Sequence, residues 1–126
     1  MTVSVVLDTS ALLGIFEHRV DIFSSLESLF GKVRVVIPSF ILDELKELEK
    51  RKRHASAAVR LIRQKGVEVV DAPGKGDQGI LEFAIRYGYC VLTNDMRLKS
   101  ELRKHGVTVI FLRNMSKLKV EGVDSY

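Results

Sequence analysis

Four acidic residues stand just past four apolar, β-branched runs: Asp8 in VVLDTSALL, Glu44 in VVIPSFILDEL, Asp77 in VEVVDAPGKGDQG and Asp95 in CVLTNDMRL. Carboxylates gathered in one place repel one another, and a divalent cation is the least costly way to keep them ionised. With no His or Cys among them, the donors are hard oxygens, which favour Mg²⁺ or Mn²⁺ over zinc. One or two such ions would orient a water, lower its pKa and stabilise charge on a phosphate during in-line attack. Hydrolysis of a phosphodiester is the chemistry this pattern suggests.

The acids need elements to hold them together. Five short runs read as strands covered on both faces: Val3 to Leu7, Val33 to Ile37, Val67 to Val70, Tyr89 to Thr93 and Val107 to Leu112. Helical periods separate them. Asp21 caps a helix to Phe30, Pro38 opens one through Leu48, and others cover about Ala55 to Gln64, Gln78 to Tyr87 and Leu98 to Lys104. Gly66, Gly88 and Gly106 close the last three. This alternation predicts an α/β fold with a mainly parallel sheet, right-handed crossovers and helices on both faces. In such a sheet the functional crevice lies beyond the carboxyl ends of the strands, where strand order reverses, and all four acids fall at that edge.

Each acid alone has a plainer role. Asp8, ahead of Thr9 and Ser10, could cap a helical turn, and Asp77 has the sequence of a capping residue ahead of Gln78 to Tyr87. Glu44 lies in a charged helical stretch, and Asp95 could be a turn residue. Their coincidence at one edge is what outweighs the four separate explanations.

At 126 residues and 46% hydrophobic content, the chain suffices for one domain with a real core. We take residues 1–115 as that domain and 116–126 as a tail of low order. Twenty Lys and Arg against sixteen Asp and Glu leave a net charge of +4, which suits a polyanionic partner but also simply keeps a protein dispersed. The single cysteine, Cys90, has no disulfide partner and fits a reducing cytoplasm. The amino-terminal run reads as a strand and not a signal peptide, and no apolar run is long enough to cross a bilayer.

Taken together, Asp8-Thr9-Ser10-Ala11-Leu12-Leu13, the Pro38 to Leu45 segment with its acid, Gly76-Asp77 ahead of a helix, and Thr93-Asn94-Asp95 resemble a PIN domain over essentially the whole chain. Arg19 to Phe23, Val107 to Arg113 and Lys117-Leu118 look most similar to the archaeal branch related to the nuclease that processes small-subunit ribosomal RNA. The resemblance implies a three-layer α/β/α sandwich, a five-stranded sheet in the order 3-2-1-4-5, and a metal-dependent endoribonuclease acting on single-stranded RNA. It also implies self-association, as a homodimer. Carried over, Asp8, Glu44, Asp77 and Asp95 are the metal-binding acids, with Ser10, Thr93 and Asn94 in support. Related sequences often carry two adjacent acids where this chain has Asp77-Gln78, so either position could stand in the family's place.

Arg51, Lys52 and Arg53 form the densest positive stretch, and Arg97 and Lys99 follow Asp95 directly; all five are candidate phosphate contacts, with a solvated surface as the alternative. His18, His54 and His105 show no catalytic spacing and take surface or capping roles. Six Phe, three Tyr and no Trp do not indicate a base-stacking platform. Three rivals remain. A catalytically weak RNA-binding module of the same fold would follow from the missing acid at Gln78, and a toxin of a toxin and antitoxin pair would share the chemistry. A phosphoacceptor switch would need a Lys at the end of a late strand, where this chain has Thr93-Asn94-Asp95 and Leu112-Arg113.

Overall fold

β-branched and aliphatic runs become the strands, and helices fill the intervals. A computed structural model describes residues 2–122. The order is β1 (Val3–Leu7), α1 (Thr9–Glu17), α2 (Ile22–Phe30), β2 (Val33–Pro38), α3 (Ser39–Leu48), α4 (Arg53–Gln64), β3 (Glu68–Val70), α5 (Gly76–Tyr87), β4 (Cys90–Leu92), α6 (Met96–Lys104), β5 (Val109–Arg113) and β6 (Lys117–Glu121).

The sheet runs β3-β2-β1-β4-β5-β6, parallel except for β6. The expected 3-2-1-4-5 order is therefore present, with a sixth, antiparallel strand added at one edge. That strand forms in the segment expected to be a tail. Its sequence, Lys117-Leu118-Lys119-Val120-Glu121, alternates between exposed and half-buried positions, the pattern of a half-covered edge strand. Residues 123–126 lie outside the described residues.

Chain order reverses direction between β1 and β4, which are paired through Val5/Cys90, Val6/Val91 and Leu7/Leu92. Right-handed crossovers then place helices on opposite faces before and after that point. α1, α3 and α4 pack on one another, and α5 packs on α6. Between the two helical layers Val5, Val6, Leu7, Val36, Ile37, Val91, Leu92, Val109 and Ile110 are almost wholly buried.

Local signals explain most boundaries. The Asp21 carboxylate accepts from Ser24 N and caps α2 as expected. Gly88 ends α5 in the left-handed conformation at φ 69°. Pro38 closes β2 and caps α3 instead of starting it. Helix α1 extends what the sequence marks only as a helical turn for Asp8 to cap. Its Ala11, Leu12, Leu13 and Gly14 are all buried in succession, so no polar stripe marks a helical period. Cys90 lies in β4 and is only half-buried.

Candidate functional site

Asp8 stands where β1 gives way to α1, one residue past the Leu7/Leu92 pair. Its carboxylate caps α1 by accepting from Ala11 N at 2.8 Å. It is 6% exposed, and both oxygens are engaged. The Ser10 hydroxyl donates to it at 2.9 Å, and the wholly buried Thr93 hydroxyl donates at 2.5 Å. Burial nevertheless dominates and lifts its pKa to about 6, with a smaller push from the charge of Asp95.

The loop after β4 is tied to the same carboxylate by the same two hydroxyls. Asp95 N donates to Thr93 Oγ1 at 3.0 Å, and Asn94 N donates to Ser10 Oγ at 3.0 Å. Each hydroxyl thus accepts a backbone N–H from the loop while donating to Asp8, which locks the two strand ends in register. Asn94 rests its side-chain amide against Gly14, and any Cβ at that glycine would collide with it. Asp95 in turn caps α6, its Oδ1 accepting from Arg97 N at 2.9 Å and Leu98 N at 3.3 Å. The plainer role of Asp8 as a cap is therefore real, and Asp95, expected as a turn residue, caps a helix as well; neither role bars a place at the cavity.

Glu44 reaches the edge from α3. Its Oε1 accepts from the Thr9 hydroxyl at 2.8 Å, a partner the sequence reading did not assign. Its signal was a hydroxyl next to a candidate acid. Asp77 departs from expectation: α5 begins at Gly76, so Asp77 lies in the first turn and caps nothing. Its carboxylate lines the cavity instead, with its pKa raised by burial and then by Asp95, against a smaller lowering by Arg97. Gln78 turns away, donating its side-chain amide to Glu82 at 3.1 Å. The position facing the cavity is Asp77.

A cavity of about 280 Å³ brings Asp8, Glu44, Asp77 and Asp95 together, with Thr9, Ser10 and Lys52 on its wall. Three glycines and a ring set its shape. A Cβ at Gly79 would come within 2.7 Å of the Phe40 ring, so α3 and α5 approach closely only because that position is bare, and Gly74 and Gly76 hold positive φ in the loop before α5. The donors facing this space are carboxylates and hydroxyls, the set suited to Mg²⁺ or Mn²⁺. Among the described residues, no three His, Cys, Asp or Glu side chains converge closely enough to share one ion. An ion here would be met by one or two carboxylates at a time, with water completing its shell, which is how Mg²⁺ commonly binds. In that sense the residues present fit a hard divalent cation.

The expected cations divide. Lys52 lines the cavity, while Arg51 and Arg53 do not. Arg97 is exposed at the start of α6, close enough to Asp77 to lower its pKa. Lys99 is committed elsewhere: its ammonium lies 4.0 Å from the Phe111 ring centroid and 3.0 Å from Glu121. His18 and His105 end α1 and α6, and His54 stacks on Phe16 at 6.0 Å. No helix among the described residues is long and apolar enough to cross a membrane.

Known proteins place this geometry. Residues 5–115 match the family model described as PIN like domain. Ribonuclease VapC9 of Archaeoglobus fulgidus is 32% identical over 124 residues, covering 94% of this chain and 90% of that protein. The solved PIN domain endonuclease Utp24 superposes with a TM-score of 0.79 at 25% identity, covering 95% of this chain and 92% of that one. A domain of a functionally unknown protein from Methanocaldococcus jannaschii shares the fold, with a TM-score of 0.65 at 16% identity and 99% coverage of both chains. With four acids at the switch point of this sheet, and a match over most of its length, the chain belongs to the PIN domain family.

Proposed function

We propose that this protein is a Mg²⁺- or Mn²⁺-dependent endoribonuclease that hydrolyses phosphodiester bonds of single-stranded RNA. The observation that carries the reading is the convergence of Asp8, Glu44, Asp77 and Asp95 on one cavity, with Asp8 fixed by Ser10 and Thr93. Two of the three similar proteins are named as nucleases, one a ribonuclease and one an endonuclease, which supports the reaction class.

In this reading Asp8 and Asp95 are the principal metal ligands, and Glu44 and Asp77 complete the acidic wall. A bound ion supplies a water of lowered pKa and a counter-charge for the phosphate. Asp8 is oriented by two hydroxyl donors, so a ligand oxygen is held in place before substrate arrives. Thr9 steers Glu44, and Asn94 fixes Ser10 through its backbone N–H. Lys52 and Arg97 flank the acids and would take phosphates of the same strand. No covalent protein intermediate is needed. Burial raises the Cys90 thiol pKa, which suppresses its thiolate.

The similarity to the ribosomal branch makes a ribosomal RNA precursor the first natural substrate to try, in a reducing cytoplasm, with a homodimer as the assembly to look for. The likeness to Ribonuclease VapC9 favours a second biological setting, a toxin-type ribonuclease of a toxin and antitoxin pair, by the same chemistry. The test is cleavage of an internally labelled, partly single-stranded RNA in Mn²⁺, Mg²⁺ or EDTA, with native protein and Asp8→Asn. Cutting that needs the metal and vanishes in Asp8→Asn is the expected result. Binding without cutting by the native protein would replace the enzyme with an RNA-binding module of this fold.

A further inference from the structure

The β4–β5 ladder ends at Leu92/Ile110, level with the end of β1 at Leu7, whereas the β5–β6 ladder runs on through Phe111/Lys119, Leu112/Leu118 and Arg113/Lys117. Three further residues at strand spacing carry this two-stranded ribbon about 10 Å beyond the sheet edge on which Asp8 and Asp95 stand. The sheet thus has a protruding flange on the side of its acid cavity.

The ribbon is fastened at its root. Lys99 of α6 pairs with Glu121 and covers Phe111, the Thr108 hydroxyl donates to Gly122 O at 3.3 Å, and the Arg103 guanidinium packs so close to Gly122 that no Cβ fits there. Its tip is the reverse. Arg113 through Lys117 are all exposed, and Met115 holds φ 58° with 60% of its surface in solvent. A methionine in the left-handed region with no packing to compensate is unusual.

Directly opposed residues of an antiparallel pair share a face, and so do their second neighbours. Arg113 and Lys117 therefore lie on the face of Phe111 and Lys119, the face that α6 covers through Lys99. Arg97 begins that same helix at the carboxyl edge. Among the described residues neither Arg113 nor Lys117 has an acidic partner, in contrast to Lys99 beneath them.

We propose that the β5–β6 ribbon is an RNA-guiding arm: Arg113 and Lys117, continuing from Arg97, hold successive phosphates of the single strand on one side of the acid cavity. This rests on the endoribonuclease reading and adds the direction in which the bound strand runs. The exposed Met115 at the tip offers an apolar edge against which an unstacked base can lie.

The test is binding of a labelled single-stranded RNA, followed by fluorescence anisotropy across a salt series in EDTA. Cleavage plays no part there, so failure of the hydrolytic reading and failure of the arm are separate results. Arg113→Glu with Lys117→Glu is expected to weaken binding on the order of tenfold or more, and to flatten the log-log salt slope by about 1.4, roughly 0.7 per lost phosphate contact. Lys32→Glu, at the opposite edge, should leave both unchanged. Arg113→Gln with Lys117→Gln gives the same slope change with less risk to the ribbon, and thermal melting checks that both variants fold. Wild-type affinity and slope in the folded Gln variant would overturn the proposal.

Discussion

The two edges of the sheet carry comparable numbers of charges and differ in how those charges are matched. At the amino edge a cavity of about 710 Å³ is lined by Lys32, Arg34, Lys65, Glu27 and Glu68. There Arg34 is bonded to Glu68 and donates to the Tyr89 hydroxyl at 2.8 Å, while Lys65 lies over the Phe23 ring. At the carboxyl edge a cavity less than half that size holds four carboxylates, and two of them have pKa values raised partly by a neighbour's charge. Volume does not distinguish the site. Unmatched charge does, because repulsion that folding leaves unrelieved is free energy available to a ligand of opposite sign.

The sharpest way to break this comparison is to remove charge at each edge in turn. Asp8→Asn should lower RNA cutting by about 10³-fold, as expected when the group holding a metal-activated water is lost. Glu68→Gln should leave the cutting rate unchanged. Equal losses in a steady-state cleavage assay would show that the acid cavity has no special standing.

Protonation probes the same strain without a mutation. Folding raises the Asp8 pKa from 3.8 to about 6, so the folded state binds the extra proton between those values. In EDTA, the Asp8 contribution to stability therefore falls as pH rises from about 4 to about 6, and then levels off, by about 3 kcal/mol. Asp8→Asn should abolish that fall, and Mn²⁺ should raise the melting temperature more at pH 7 than at pH 5. Calorimetry across pH measures both. A flat profile for the native protein would mean that the buried carboxylate is not strained.

Smaller effects sharpen the geometry. Gly79→Ala should cost about 1–3 kcal/mol by wedging α5 from Phe40, and should cut activity beyond what lost stability explains, since it moves Asp77 relative to Glu44. Thr9→Val should weaken metal affinity about tenfold by freeing Glu44, with a melting temperature near that of the native protein. Titration calorimetry with Mn²⁺ distinguishes this from a purely structural role, which would lower the melting temperature and leave affinity alone.

The parallel core was legible because strands covered on both faces must be apolar throughout, as Val3 to Leu7 and Val33 to Ile37 are. Three things were not. Helix α1 hides its period because four successive residues are buried. Strand β6 does show a period-2 alternation, but the turn at Asn114 and Met115 contains none of the glycine that usually announces a hairpin. Asp77 carries the sequence of a cap and the position of a cavity-lining residue, and only the start of α5 at Gly76 distinguishes them. That the four acids would share one edge was readable, since each follows an apolar run. The web linking Ser10, Thr93 and Asp8 joins residues more than eighty positions apart, and their convergence depends on β1 pairing with β4. The nearness of Lys99 to Asp95 in sequence said nothing of its pairing with Glu121, on a strand not anticipated.

Asp8 and Asp95 each begin a helix, and asparagine serves that duty as well as aspartate does. A single base change converts one codon to the other. On the proposed function, a lineage carrying this fold can therefore shed the hydrolysis in one step while both helix caps persist, and it can regain it as readily. Under that proposal, descendants with amides at these two positions would keep the fold and lose the cutting.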